Sequence, residues 1–270
     1  MAKISCNLDA FRHSDKPHQY AYKVLSELGF DSVEPEVMDG RCIYETYHYC
    51  PMVSMDEDPA EIRRTISGYG LDVSCVSAHT SLLETEYGVR YLRRAIKFAK
   101  HLGAPIVNTS EGPKPEGMSD EEAFALMKHN LNEVLKTAES YDMYLTMEPH
   151  GEYTTNAKGL KKILALTRSE KLAVNFDTGN VFLAGNDPVS TLRQVADRVK
   201  YVHVKDIGGA LLGERGKVTG TPVGVAVGEG NVDIKGCVNV LRSAGYNGTY
   251  SIEAAEKDLA KSLSFLRKVV

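Results

Sequence analysis

Short apolar runs rich in β-branched residues recur along the whole chain, and each is followed by a stretch whose apolar positions return every three or four residues. The runs that predict strands are KISCNL from Lys3, DSVEPE from Asp31, LDVSCVSA from Leu71, APIVNTS from Ala104, MYLTMEP from Met143, LAVNFD from Leu172, KYVHVKD from Lys200 and TYSIEA from Thr249. Helices are predicted between them over 18–30, 58–70, 87–103, 119–141, 156–167, 187–199, 232–246 and 256–270. The punctuation agrees. Ser119 with Glu122 has the form of a capping box, Asp58 and Asp187 each precede a proline at a first helical position, and glycines at 29, 70, 103 and 245 close their helices.

Eight strand and helix pairs, with strands that read as continuous hydrophobic runs, predict an α/β protein of one domain over residues 1–270, a (β/α)8 TIM barrel. No glycine-rich dinucleotide fingerprint follows the first run, which argues against an open doubly wound sheet. The 270 residues match the roughly 250 that such a barrel needs. Two connections exceed ordinary length: Met38 to Glu57, carrying Tyr44, Tyr47, His48 and Tyr49, and the glycine-rich Ile207 to Asn231. Both leave carboxyl ends of strands, so they are candidate walls or lids of a site; an oligomer contact or a mobile surface excursion is the plainer reading.

Charge and cysteine usage narrow the function classes. Thirty-two Lys plus Arg against 36 Asp plus Glu give a net charge of −4, which is no footprint for a phosphate backbone, so nucleic acid is not an expected partner. The basic run RYLRRAIKFAKH reads as a solvated helix face. No segment approaches about 18 consecutive apolar residues, and the first residues hold charges where a signal peptide would be apolar; a cytoplasmic protein that does not enter a membrane is expected. Of five cysteines none is spaced by two residues, which speaks against a thiolate zinc site and fits a reducing compartment. Cys6 and Cys75 fall in strands, as small core hydrophobes; Cys42 and Cys50 receive no role.

The chemistry lies at the ends of the late strands. The fifth ends in Glu148, the sixth in Asp177, the seventh in His203 and the eighth in Glu253. Any one of these could be a structural ion pair or cap. Four consecutive strands doing so would bury three carboxylates together, which is costly through desolvation and repulsion unless a cation is present. One imidazole and three carboxylates suit a single divalent metal ion, Mn2+ first, with Mg2+, Co2+, Fe2+ and Zn2+ as alternatives.

Glu148 in TMEPHGE, Asp177 in NFDTGNVFLAGNDP, His203 in VHVKD and Glu253 in YSIEA resemble the metal-binding positions of the xylose isomerase-like barrel superfamily, whose members are often labelled sugar phosphate isomerases/epimerases. The segment from Asp177 onward, with VGEGNVDIKG before the last helix, is similar to inosose dehydratases and ketose 3-epimerases. The resemblance implies a mononuclear site on Glu148, Asp177, His203 and Glu253, with the two glutamates also moving protons. A metal bound to a carbonyl and its neighbouring hydroxyl would stabilise the enediolate left after proton removal. One glutamate would take the proton; the other would return it, giving epimerisation, or protonate a departing hydroxyl, giving dehydration. Two positions depart from the ketose 3-epimerase pattern, Asn180 standing for a His and Gly209 for an Arg.

Glu34, His79, Glu111 and His150 end or follow other strands and are candidate substrate contacts, with turn capping as the alternative for His79. Lys205 should point to the same side as His203, to bind an oxyanion or to pair with Asp206 or Glu253, and Asp206 could orient His203 or Lys205. Asn180 joins the substrate group. The leading function is a metal-dependent isomerase or epimerase of a sugar or keto-sugar. The alternatives are a lyase acting on an inosose or 3-keto-sugar, and a barrel that binds a ligand or partner without turning it over. The expected partner is a small carbohydrate or cyclitol; a homo-oligomer is left open.

Overall fold

The computed structural model describes residues 2–12, 16–40, 52–217 and 222–270. Its strands are β1 (Lys3–Asn7), β2 (Ser32–Glu34), β3 in two pieces (Asp72–Val73 and Val76–Ser77), β4 (Ile106–Thr109), β5 (Tyr144–Met147), β6 (Leu172–Asp177), β7 (Val199–Val204) and β8 (Thr249–Ile252). All pair in parallel, in the order β3's first piece, β2, β1, β8, β7, β6, β5, β4 and β3's second piece. Because the two ends of that order are halves of one strand, the sheet closes into a single-domain TIM barrel, as expected.

The helices are α1 (His18–Leu28), α2 (Pro59–Gly68), α3 (Thr85–Leu102), α4 (Asp120–Ser140), α5 (Ala157–Leu164), α6 (Thr178–Leu183), α7 (Pro188–Arg193), α8 (Ile234–Ser243) and α9 (Leu259–Val269). The capping box of Ser119 and Glu122 forms, and Asp58 and Asp187 cap their helices through side-chain oxygens. Gly29 and Gly103 end α1 and α3 with φ of 87° and 98°, a region that costs other residues energy. On α3 the buried face includes Val89, Leu92, Ile96, Ala99 and Leu102, three or four residues apart. The basic face opposite is tied down by ion pairs of Arg93 with Glu133 and of Arg94 with Asp39 and Asp56. Full burial of a side chain such as Leu92 contributes about 1.5–3 kcal/mol, and its truncation to Ala costs about 2–5 kcal/mol.

Alternation along the strands divides apolar from polar chemistry. Ile4 and Cys6 of β1 join the large core between barrel and helices. Ser5 turns into the barrel, where its hydroxyl is 2.7 Å from Ser74, itself 2.7 Å from the Tyr201 hydroxyl. A small cluster of Cys75, Ile106 and Tyr201 plugs the barrel interior. Both strand cysteines are free and buried.

Several elements differ from the sequence reading. The Met38–Glu57 connection is not loop throughout: Val37–Met38 pairs with Val53–Ser54 in a short parallel ribbon. Its residues Tyr44, Tyr47, His48 and Tyr49, with Cys42 and Cys50, lie outside the described residues. The 187–199 helix stops at Arg193, and a 3-10 turn covers Ala196–Arg198. The 207–231 connection holds a 3-10 segment, Gly209–Glu214, before returning to the barrel. Among the described residues no helix is long and apolar enough to cross a membrane.

Candidate metal centre

Strand register brings the polar strand ends to one level. His203 of β7 lies opposite Asp177 of β6 and Ser251 of β8, Asn7 lies opposite Glu34, and Ser77 lies opposite Asn108. Glu148 and Glu253 each follow the last residue of their strands. As a result Glu148, Asp177, His203 and Glu253 offer one ligand atom each within 4.8 Å of one another. All but Glu253 are essentially fully buried.

The interior of this cluster has the character of a cation site. His203 Nδ1 lies 2.9 Å from Glu253 Oε1 and 3.2 Å from Glu148 Oε1. It makes a hydrogen bond to neither, and Asp177 Oδ2 is likewise buried without a hydrogen-bond partner. A mixed set of three carboxylates and one imidazole fits a divalent ion.

The outer contacts fix the orientation of each side chain. Glu34 accepts from His203 Nε2 at 2.9 Å and 3.0 Å and from the hydroxyls of Ser77 and Ser251 at 2.7 Å each. That leaves Nδ1 turned inward toward the cluster. Asp177 caps α6, its Oδ1 accepting from the Asn180 amide at 2.9 Å. Glu148 Oε2 accepts from Asn108 and, at 3.3 Å, from Asn175, while Asn7 donates to Glu253 at 3.4 Å. These three asparagines interrupt the apolar runs KISCNL, APIVNTS and LAVNFD, and that interruption is the signal that could have found them.

Lys205 enters the same space. Its stem crosses Gly179, where a Cβ would lie 2.5 Å from Lys205 Cγ. Its Nζ is 2.7 Å from Glu253 Oε2, 3.7 Å from Asp177 Oδ2 and 3.3 Å from Asn180 Oδ1. Asn180 Nδ2 is a buried donor without a partner. Toward the barrel mouth, His150 Nε2 is 2.6 Å from Glu148 Oε1, and His79 Nε2 is 3.6 Å from Glu148 Oε2.

Burial raises the Asp177 carboxyl to about 6, with Glu253 and Glu148 adding to the rise and Lys205 opposing it. For His203, burial opposes the charge, but Glu148, Glu34 and Glu253 outweigh it and hold the imidazole well above its usual range. Burial also works against ionised Glu253, yet Lys205 and His203 keep it below the usual carboxylate range. Lys205 stays charged because Glu253 and Asp177 outweigh its own burial. Glu148, Asp177 and Glu253 thus sit among the imidazoles of His203 and His150 and the Lys205 ammonium, a mixed set of oxygen and nitrogen donors.

Three further residues singled out by sequence have their carboxylates engaged within the protein. Glu34 is fully buried behind His203, with both oxygens occupied. Glu111 accepts from the Tyr153 and Thr154 amides at 2.9 Å and 3.0 Å and from the Thr154 hydroxyl at 2.6 Å, fastening the turn that carries His150. Asp206 orients neither His203 nor Lys205: it accepts from the amides of Ile207, Gly228, Gly230 and Val232 and pins the long loop to β7. His79 and His150 approach Glu148, and Lys205 approaches Glu253 and Asn180, at the candidate cluster.

The xylose isomerase-like TIM barrel model matches residues 22–269. The chain belongs to that family. An inosose dehydratase of Lacticaseibacillus casei is 26% identical over 188 residues, covering 62% of this chain and 63% of that protein. An inosose dehydratase of Clostridium beijerinckii is 27% identical over 181 residues, 59% of this chain and 60% of that one. The matched stretch is thus less than two thirds of the length of these relatives. A xylose isomerase domain protein from Planctomyces limnophilus shares the fold, with a TM-score of 0.74 and 24% identity over 99% of this chain and 95% of that chain.

Proposed function

We propose that this protein is a divalent-metal-dependent enzyme that removes a proton next to the carbonyl of a sugar, keto-sugar or keto-cyclitol. The observation that carries the reading is the pair of buried atoms without a hydrogen bond, Asp177 Oδ2 and His203 Nδ1, in a cluster completed by Glu148 and Glu253. These four residues would hold the ion, Mn2+ by the predominance of oxygen donors. When bound, the ion supplies Lewis-acid polarisation of a substrate carbonyl. Glu148 and Glu253 handle the substrate protons, Lys205 stabilises developing negative charge, and the free Nδ2 of Asn180 donates to a substrate oxygen.

Two outcomes share the first step. Epimerisation or isomerisation needs the proton returned to carbon by a second group. Dehydration needs an acid for the departing hydroxyl, and the two sides of the cluster differ in the way that elimination requires. Glu253 is paired with the Lys205 ammonium, whereas Glu148 is paired with His150. Burial opposes a proton on His150, but Glu148 overrides it and raises the imidazole above its ordinary range, as suits an acid. Glu253 then takes the carbon-bound proton, the carbon–oxygen bond breaks, and His150 protonates the leaving hydroxide to water. The inosose dehydratase names among the relatives support this direction; the likeness of the late segments to ketose 3-epimerases supports the other.

The test is a screen of keto-sugars, inososes and their phosphates with metal-depleted protein and added Mn2+ or Co2+ in deuterated water. Solvent deuterium in recovered substrate or product is expected, and loss of water in the product mass separates lyase from isomerase. Full turnover without metal would end the proposal. Glu148→Gln and Glu253→Gln abolish activity with the fold intact if the barrel is catalytic; retained biological activity would make it a binding protein.

A further inference from the structure

Beside the four-residue cluster, His79 and His150 form a second group with Glu148, again with one ligand atom each inside 4.8 Å. Their rings are 4.8 Å apart at a tilt of 59°. His150 side-chain exposure is 16% and that of His79 is 35%, so the group opens toward solvent while Glu148 closes it from below. The His79 ring makes no hydrogen bond to the described residues, which leaves its nitrogens free to ligate. The turn bearing His150 is held rigid: the amides of His150 and Gly151 donate to the Thr154 hydroxyl oxygen, and Glu111 grips that hydroxyl and two further amides. Gly151 is required there, since a Cβ would fall 2.2 Å from Glu111 Oε1.

We propose that His79, His150 and the shared carboxylate of Glu148 form a second divalent site that selects zinc and, when filled, shuts the enzyme off. Two imidazoles and one carboxylate make the three-ligand set with an open position that zinc accepts, with Zn–N near 2.0–2.1 Å. The first centre offers three carboxylates and one imidazole and suits harder ions; the second is nitrogen-rich, where Zn2+ outcompetes Mn2+ and Mg2+. A zinc ion there takes both nitrogen lone pairs and one side of Glu148, so neither His150 nor Glu148 can exchange a proton with substrate. The inhibition rests on the functional reading above; the binding site does not.

The experiment is element analysis of metal-depleted full-length protein after equilibration with ZnSO4 and gel filtration, repeated with MnCl2. Wild type is expected to retain about two zinc ions per chain but about one manganese ion. His79→Ala and His150→Ala each lose one zinc, because removing a direct ligand costs more than the roughly 10- to 100-fold typical of an outer-shell partner. Asp177→Asn loses the other ion. Zinc added to manganese-loaded wild type abolishes turnover as the second ion binds, and His79→Ala loses that sensitivity relative to its own zinc-free rate. One zinc per wild-type chain, or a second zinc that survives both histidine substitutions, overturns the proposal. Should Asp177→Asn keep both ions while His79→Ala keeps one, the first centre falls and this site stands.

Discussion

Glu34 and His203, 169 residues apart in the chain, are joined by hydrogen bonds of 2.9 Å and 3.0 Å from one ring nitrogen to both carboxylate oxygens. This contact sets which nitrogen of His203 faces the cluster. Glu34→Gln leaves the fold in place but removes the charge that holds the ring, and metal affinity falls by about 10- to 100-fold. Isothermal titration with Mn2+ checks it; unchanged affinity would mean that packing alone holds the His203 ring.

Metal uptake competes with protons. His203 is held protonated above its usual range, so binding near neutral pH displaces about one proton and affinity rises about tenfold per pH unit. Below about pH 6 the raised Asp177 carboxyl is protonated too, and the slope steepens toward two protons per ion, about 100-fold per unit. Mn2+ titrations from pH 5 to 8 in several buffers measure both slopes. A flat profile would contradict the assigned ligands.

Gly179 gives Lys205 its path. In Gly179→Ala the new methyl meets Lys205 Cγ at 2.5 Å and Cδ at 2.7 Å, so the ammonium must leave its contacts with Glu253 and Asn180. A misplacement of this size lowers kcat/KM by about 100-fold, with metal content unchanged. Lys205→Met should have a similar effect, and the double variant should be little worse than either. Additive losses would show that Gly179 acts through the backbone of α6 instead.

Asp206 holds the long loop through four backbone amides. Asp206→Ala leaves those donors without their acceptor and costs about 3 kcal/mol of stability. Urea unfolding with the slope compared to wild type tests this; loss of activity at full stability would instead give Asp206 a direct part in the chemistry.

The barrel was legible because strand period, helix period and caps agree along the chain, and the cluster was legible because four late strands end in potential ligands. The same criterion did not reveal that Glu34, Glu111 and Asp206 hydrogen-bond within the protein. A carboxylate ending a strand looks the same whether it faces the barrel mouth or grips backbone amides, since amides carry no sequence signature. Helix α6 escaped because Thr178–Leu183 is too short to show a period, although Asp177 at its start is both its cap and a metal-ligand candidate. The asparagines at 7, 108 and 175 are single polar breaks in hydrophobic runs, and they are the amides that hydrogen-bond Glu253 and Glu148.

The central claim is tested most directly by anomalous scattering from crystals grown with MnCl2. The account predicts one manganese peak at about 2.0–2.3 Å from Asp177 Oδ2, His203 Nδ1 and an oxygen each of Glu148 and Glu253. A peak elsewhere, or none with these side chains in place, would contradict it.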